Sequence, residues 1–308
     1  MTGEKRLSQE KYPRNNPPTG NPIPETNGTK SSEKKFDLGR IFSSAEIVLV
    51  GKDLGAIWRN KNTRTMLMLL PVVLVVLIPL VYSVAISFLP AENSLALPEK
   101  IAAMVGGLDG YGPRRQWMAA FTRLLCPMLF LCVPIICSVT ATARVFVGEK
   151  EEGTLETLML SAMDTKTILH AKVTCCTLLS IAISLVSFVA FAITVSVADI
   201  LMGAPYFLNF QWLVCLILFM PVVALFSVVF VSWEFTRVHS SGEAIQTMGY
   251  LMLPLLLLYL VQFTGVFQIT VPLLLGITVV LAILSIVLFN VTSRKFQPDR
   301  LFAYSEGR

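Results

Sequence analysis

The sequence predicts an all-α integral membrane protein with six transmembrane helices. An amphipathic helix at the membrane interface precedes them, and a second short amphipathic helix separates the second and third spans. Three observations lead there. Of 308 residues, 54% are apolar and only 15% charged, against about 25% charged in soluble domains. The apolar surplus, with a mean hydropathy of +0.68, gathers into runs of roughly 20 residues, the length that crosses a hydrocarbon core at 1.5 Å per residue. The basic residues flank those runs, the topological use of Lys and Arg. A net charge of +5 distributed this way gives no sign of a nucleic-acid partner.

Residues 1–40, with NNPPTGNPIPETNGTKSSEKK, lack apolar residues to bury, and a disordered cytoplasmic tail is expected. They also lack the apolar core of a signal peptide, so no cleavage for export is expected. Residues 41–308 form the membrane domain. In residues 43–64, SSAEIVLVGKDLGAIWRNKNTR, Ile47, Val50, Leu54, Ile57 and Trp58 recur at helical spacing. Lys52, Asp53, Arg59 and Asn60 fall mostly on the other side. This pattern predicts an interfacial helix anchored by Trp58, with Arg59, Lys61 and Arg64 directly before the first span.

The spans are expected at about 66–88, 124–143, 173–198, 212–232, 244–264 and 269–291. The last two come from one uncharged stretch too long for a single crossing, divided at Thr264–Gly265 between Gln262 and Gln268. With the N-terminus inside, 21 Lys and Arg lie inside and 4 outside; setting residues 1–40 aside leaves 13 against 4. Both termini are therefore expected in the cytoplasm of a plasma-membrane protein. Outside, residues 90–120 form the one substantial loop, with a short helix started by Pro98.

The chain contains no G-x-x-x-x-G-K-[ST], no H-E-x-x-H and no G-x-S-x-G, so P-loop ATP binding, a zinc protease and a serine hydrolase are not expected. No catalytic or metal-binding residues are assigned. The six cysteines lie inside apolar segments without ligand spacing, which reads as small packing residues. None of the six expected spans contains Asp, Glu, Lys, Arg or His, which argues against a proton-driven carrier. Thr174, Thr177, Ser180, Ser184, Ser187 and Thr194 share one side of the third span and read as a close-packing face. Seven prolines lie in the spans and are expected to bend them. Glu243, Gln246, Thr247 and Tyr250 share a face where the fifth span begins. That face either lines a cytoplasmic vestibule or meets water and headgroups.

The segment GEKEEGTLETLMLSA, residues 148–162, is acidic in a chain with few acids. Leu155, Leu158, Met159 and Ala162 repeat at i, i+3, i+4 and i+7, which predicts a short surface helix. Its acids cluster at the N-terminal end, where the helix dipole favours them.

The stretch Glu149-Lys150-Glu151-Glu152-Gly153-Thr154-Leu155-Glu156, between the second and third of six spans, resembles the E-x-E-x-G-T-L-E signature of ABC-2 type transporter permeases. GKDLGAIWRNKNTRTMLMLLPVV is similar to that family's approach to the first span. The resemblance covers about residues 43–295. It implies an exporter subunit that pairs with a second permease copy or homologue and with two cytoplasmic ATPase subunits, which carry the ATP and Mg. This chain itself is then no enzyme and holds no cofactor. The loop after the second span becomes a coupling helix: Glu149, Glu151, Glu152 and Glu156 meet the ATPase, Leu155, Leu158 and Met159 pack at the joint, and Gly153 gives the turn beside Thr154. Spans two and five are the implied cavity walls. An autonomous six-span carrier or channel, and a non-transport assembly subunit, stand as the alternatives.

Overall fold

The computed structural model describes residues 44–88, 97–107, 110–153, 165–234, 238, 240–263 and 270–295. They form helices without strands. In chain order these are α1 (Ser44–Arg59), α2 (Lys61–Ser87), α3 (Glu99–Val105), α4 (Pro113–Glu151), α5 (Thr165–Met202), α6 (Phe210–Glu234), α7 (Ser241–Phe263) and α8 (Val271–Lys295). Six of them, α2 and α4–α8, are long and apolar enough to cross a membrane. The six expected spans each fall on one of these helices. The expected tail at residues 1–40, the surface helix at 155–162 and the turn at 264–265 lie outside the described residues.

The helices overrun the expected spans because charge at a helix end does not stop a helix. It stops only the hydrophobic run from which a span is read. In α4 and α5 the extra turns carry Arg123, Arg144, Glu149 and Lys172. Asp199 extends α5 at its other end. Lys172 and Asp199 lie roughly 40 Å apart along that helix, about the thickness of a bilayer with its headgroup layers. The stretch between them remains uncharged, as expected.

Three prolines are absorbed in the same way. The helices widen to π turns at Val73–Leu77, Phe121–Leu125 and Cys215–Phe219, and Pro79, Pro127 and Pro221 each follow two residues later. Proline has no N–H to give, and its ring crowds the carbonyl four residues back. Adding a residue to the preceding turn moves that carbonyl aside. A fourth π turn, Ala143–Val147, has no proline after it.

The bundle is built around α4. Of its most apolar window, 83% is buried, against 50% for α6 and 17–28% for α2, α5, α7 and α8. It packs against α2, α5, α6 and α7, while α8 packs on α6. Within this chain the apolar middle of α4 is largely covered by its neighbours.

Serines supply the polar contacts at this centre. Ser180 Oγ on α5 donates to Pro134 O on α4 (3.0 Å). Ser138 Oγ on α4 lies 2.8 Å from Ser180 Oγ and 3.1 Å from Ala224 O on α6, with one proton to place between them. Ser180, Ser184 and Ser187 are buried. Thr174, Thr177 and Thr194 flank that face and return their hydroxyls to carbonyls of their own helix. Phe130, Phe188, Phe191, Phe207 and Trp212 form an aromatic cluster nearby, its closest rings 5.1 Å apart (Phe191–Trp212).

Candidate functional site

At the end of the bundle where α1 lies, four charged side chains from three parts of the sequence meet. Lys172, on the first turns of α5, is completely buried. Its Nζ lies 2.9 Å from Glu149 Oε2 at the end of α4 and 3.6 Å from Asp53 Oδ2 on α1. It also donates to Val145 O at 3.2 Å, inside the proline-free π turn, and its ammonium stands 5.6 Å from the Phe146 ring centre. Glu149 accepts from Lys52 Nζ through its other oxygen, at 2.9 Å. One buried cation is thus shared by two acids, and a half-exposed lysine completes the balance.

Helical register places these groups. On α1, Leu49, Asp53 and Ile57 stand four residues apart and form the face buried against α5. On α5, Ile168, Leu169, Ala171, Cys175 and Cys176 surround Lys172 with apolar neighbours on the buried face. A buried ammonium is costly without opposite charge beside it, and the two carboxylates supply that charge. Burial pushes the Asp53 carboxyl above its ordinary range, and the charge of Lys172 pulls against that rise.

This arrangement revises the expected faces. Asp53 does not share the solvated side of α1 with Lys52 and Arg59; it faces inward. Ile47, Leu54 and Trp58 point outward, with Trp58 42% exposed. Arg59, Lys61 and Arg64 are exposed, and Asn60 caps α2 by accepting from the Asn62 and Thr63 amides.

Among the acids expected at a joint with another protein, Glu149 is 8% exposed and pairs with Lys172 and Lys52. Glu151 and Glu152 are exposed. Glu152 pairs with Arg144 at 2.6 Å and keeps about half of its side chain open (52%). Gly153 follows at φ +69, the left-handed conformation that ends a helix at glycine. Thr154, Leu155, Glu156, Leu158 and Met159 lie outside the described residues.

The vestibule face is also only partly as expected. Glu243, Gln246 and Tyr250 are exposed, Tyr250 at 74%, whereas Thr247 turns inward with Ala244 and Leu251.

Lys172, Asp53, Lys52 and Arg144 were not assigned a role by sequence reasoning. The signal existed: Lys172 and Asp53 each occupy an otherwise apolar helical face. It was masked because a charged residue beside an apolar run marks the end of a span by default.

A scan against protein-family models finds no match, and a search of curated proteins finds none either.

Proposed function

We propose that the chain is the transmembrane permease subunit of an ATP-driven exporter of the ABC-2 type, located in the plasma membrane with both termini in the cytoplasm. Two copies, or this chain and a homologue, pair with two ATPase subunits that bind ATP and Mg. The observation that carries this reading is the continuity of α4. The most buried helix of the bundle runs unbroken into Glu149–Glu151, and Glu151 and Glu152 reach its surface. A force applied just beyond Glu152 therefore acts on the helix that every neighbouring span packs against.

In this reading Glu151, Glu152 and Glu156 face basic or polar groups of the ATPase. Leu155, Leu158 and Met159 pack at the joint, and Gly153 sets the change of direction. Glu149 belongs to the permease side, holding the end of α4 to α5 and α1. Energy arrives from another chain, in keeping with the absent phosphate loop and the uncharged middles of the spans.

The double variant Glu152→Lys with Glu156→Lys is expected to abolish ATP-dependent export while membrane insertion stays intact. Undiminished export would sink the assignment of this loop as the coupling element. Transport by the purified chain alone in liposomes, driven by an ion gradient, would establish the autonomous-carrier alternative instead.

A further inference from the structure

A cavity of about 390 Å³ opens between α1 and the end of α4, within the size range of small-ligand sites. Its wall carries Lys52, Arg59 and Arg144 against Asp53, Glu149 and Glu152, but these charges are not equally available. Glu149 is held by Lys172 and Lys52, Asp53 by Lys172, and Glu152 by Arg144. With Lys172 counted behind the wall, one positive charge is left over. It belongs to Arg59, which is exposed and has no ion partner among the described residues. Arg144 uses Nη2 on Glu152, while its Nε is buried without a hydrogen-bond partner. The cavity therefore offers spare donors and surplus positive charge, and its acids are already neutralised.

Two glycines keep it open. Gly51 and Gly55 both line it, and a Cβ added at either would meet no atom within 4 Å. A side chain added at either position would start in open space at the cavity wall. Alongside, α1 exposes Ile47, Val48, Leu54 and Trp58 and leads through Asn60 into a spanning helix, so the cavity lies where headgroups meet protein.

We propose that this cavity binds one phosphate group, held by Arg59 and Arg144, with the headgroup of an anionic phospholipid as its source. Arginine suits this role because its planar donors match phosphate oxygens, and basic pockets beside spanning helices are where such headgroups are held. The proposal goes beyond the transport reading and does not depend on it.

The test uses the full chain in mild detergent, titrated with phosphatidylglycerol or phosphatidylcholine and followed by native mass spectrometry. Phosphatidylglycerol is expected to bind one site about tenfold more tightly, because phosphatidylcholine presents the same phosphate together with a cation that the surplus positive charge repels. Arg59→Gln removes the unpaired cation and is expected to erase that preference. Gly55→Leu fills the cavity, leaves every charge in place and replaces a helical glycine with a better helix former; it is expected to erase the preference too. Millimolar inorganic phosphate gives the second arm. Displacement of the lipid keeps the site and makes soluble phosphate its ligand, whereas no displacement assigns it to lipid. Equal binding of the two lipids, or a preference that survives both variants, overturns the proposal.

Discussion

Helix α5 buries a charge near each of its ends and treats the two in opposite ways. Lys172 is met by two carboxylates, a carbonyl and an aromatic face. Asp199, 2% exposed at the other end, has no hydrogen-bond partner on either oxygen. The Arg123 guanidinium and the Phe207 amide lie within its electrostatic reach, but Arg123 spends Nη1 on Val105 O and Gly106 O, capping α3. Burial alone therefore says little about a charge. What matters is whether other elements commit partners to it. At Lys172 two other elements, α1 and α4, do so, and the charge fixes their position against α5. At Asp199 the neighbouring guanidinium gives its Nη1 to the end of α3 and acts on the carboxylate through its charge alone.

The sharpest way to break this comparison is to remove Lys172. Lys172→Met leaves Asp53 and Glu149 buried without their shared cation. Losing one member of a buried ion set costs about 3–5 kcal/mol, so a large drop in the midpoint of thermal or denaturant unfolding in detergent is expected. Adding Asp53→Asn and Glu149→Gln should recover much of that loss, because the buried groups are then neutral and only the half-exposed Lys52 loses a partner. A triple variant no more stable than Lys172→Met alone would show that the lysine stem, and not its charge, holds the site.

The opposite end should respond far less. Asp199→Asn takes away a carboxylate that no hydrogen bond satisfies. It is expected to leave unfolding within about 1 kcal/mol of the natural chain, or to stabilise it. A loss comparable to that of Lys172→Met would mean that Asp199 is held as firmly as Lys172, and the contrast between the two ends would fall.

The contrast also explains what could be read beforehand. Span number follows from composition, since each crossing needs its own apolar run, and the six runs identify α2 and α4–α8. The short helix after Pro98 follows from its proline and from the Gly106–Gly107 pair that ends it. The centrality of α4 is not visible in its sequence, because a helix apolar on all sides reads the same whether it faces lipid or other helices. The π turns are half visible: proline marks where a helix must yield, but not how. The ion cluster joins positions 52–53, 149 and 172, and local periodicity cannot show that three distant segments meet. It can show only that Asp53 and Lys172 each sit on an apolar face, which is a reason to look for a partner.

The smallest expected effect concerns acidity at α1. Burial holds the folded-state pKa of Asp53 above its ordinary value, despite the opposing charge of Lys172. For a carboxyl raised in this way, the folded chain takes up the proton more readily than the unfolded chain. The associated stability is fully present below the unfolded pKa and is lost as pH rises through the folded one. Asp53→Asn removes this titration. Unfolding of the natural chain and of Asp53→Asn, compared across the acid range, should therefore show the difference moving in favour of the natural chain as pH falls. A difference that moves the other way would mean that the charge of Lys172, 3.6 Å away, outweighs burial at Asp53.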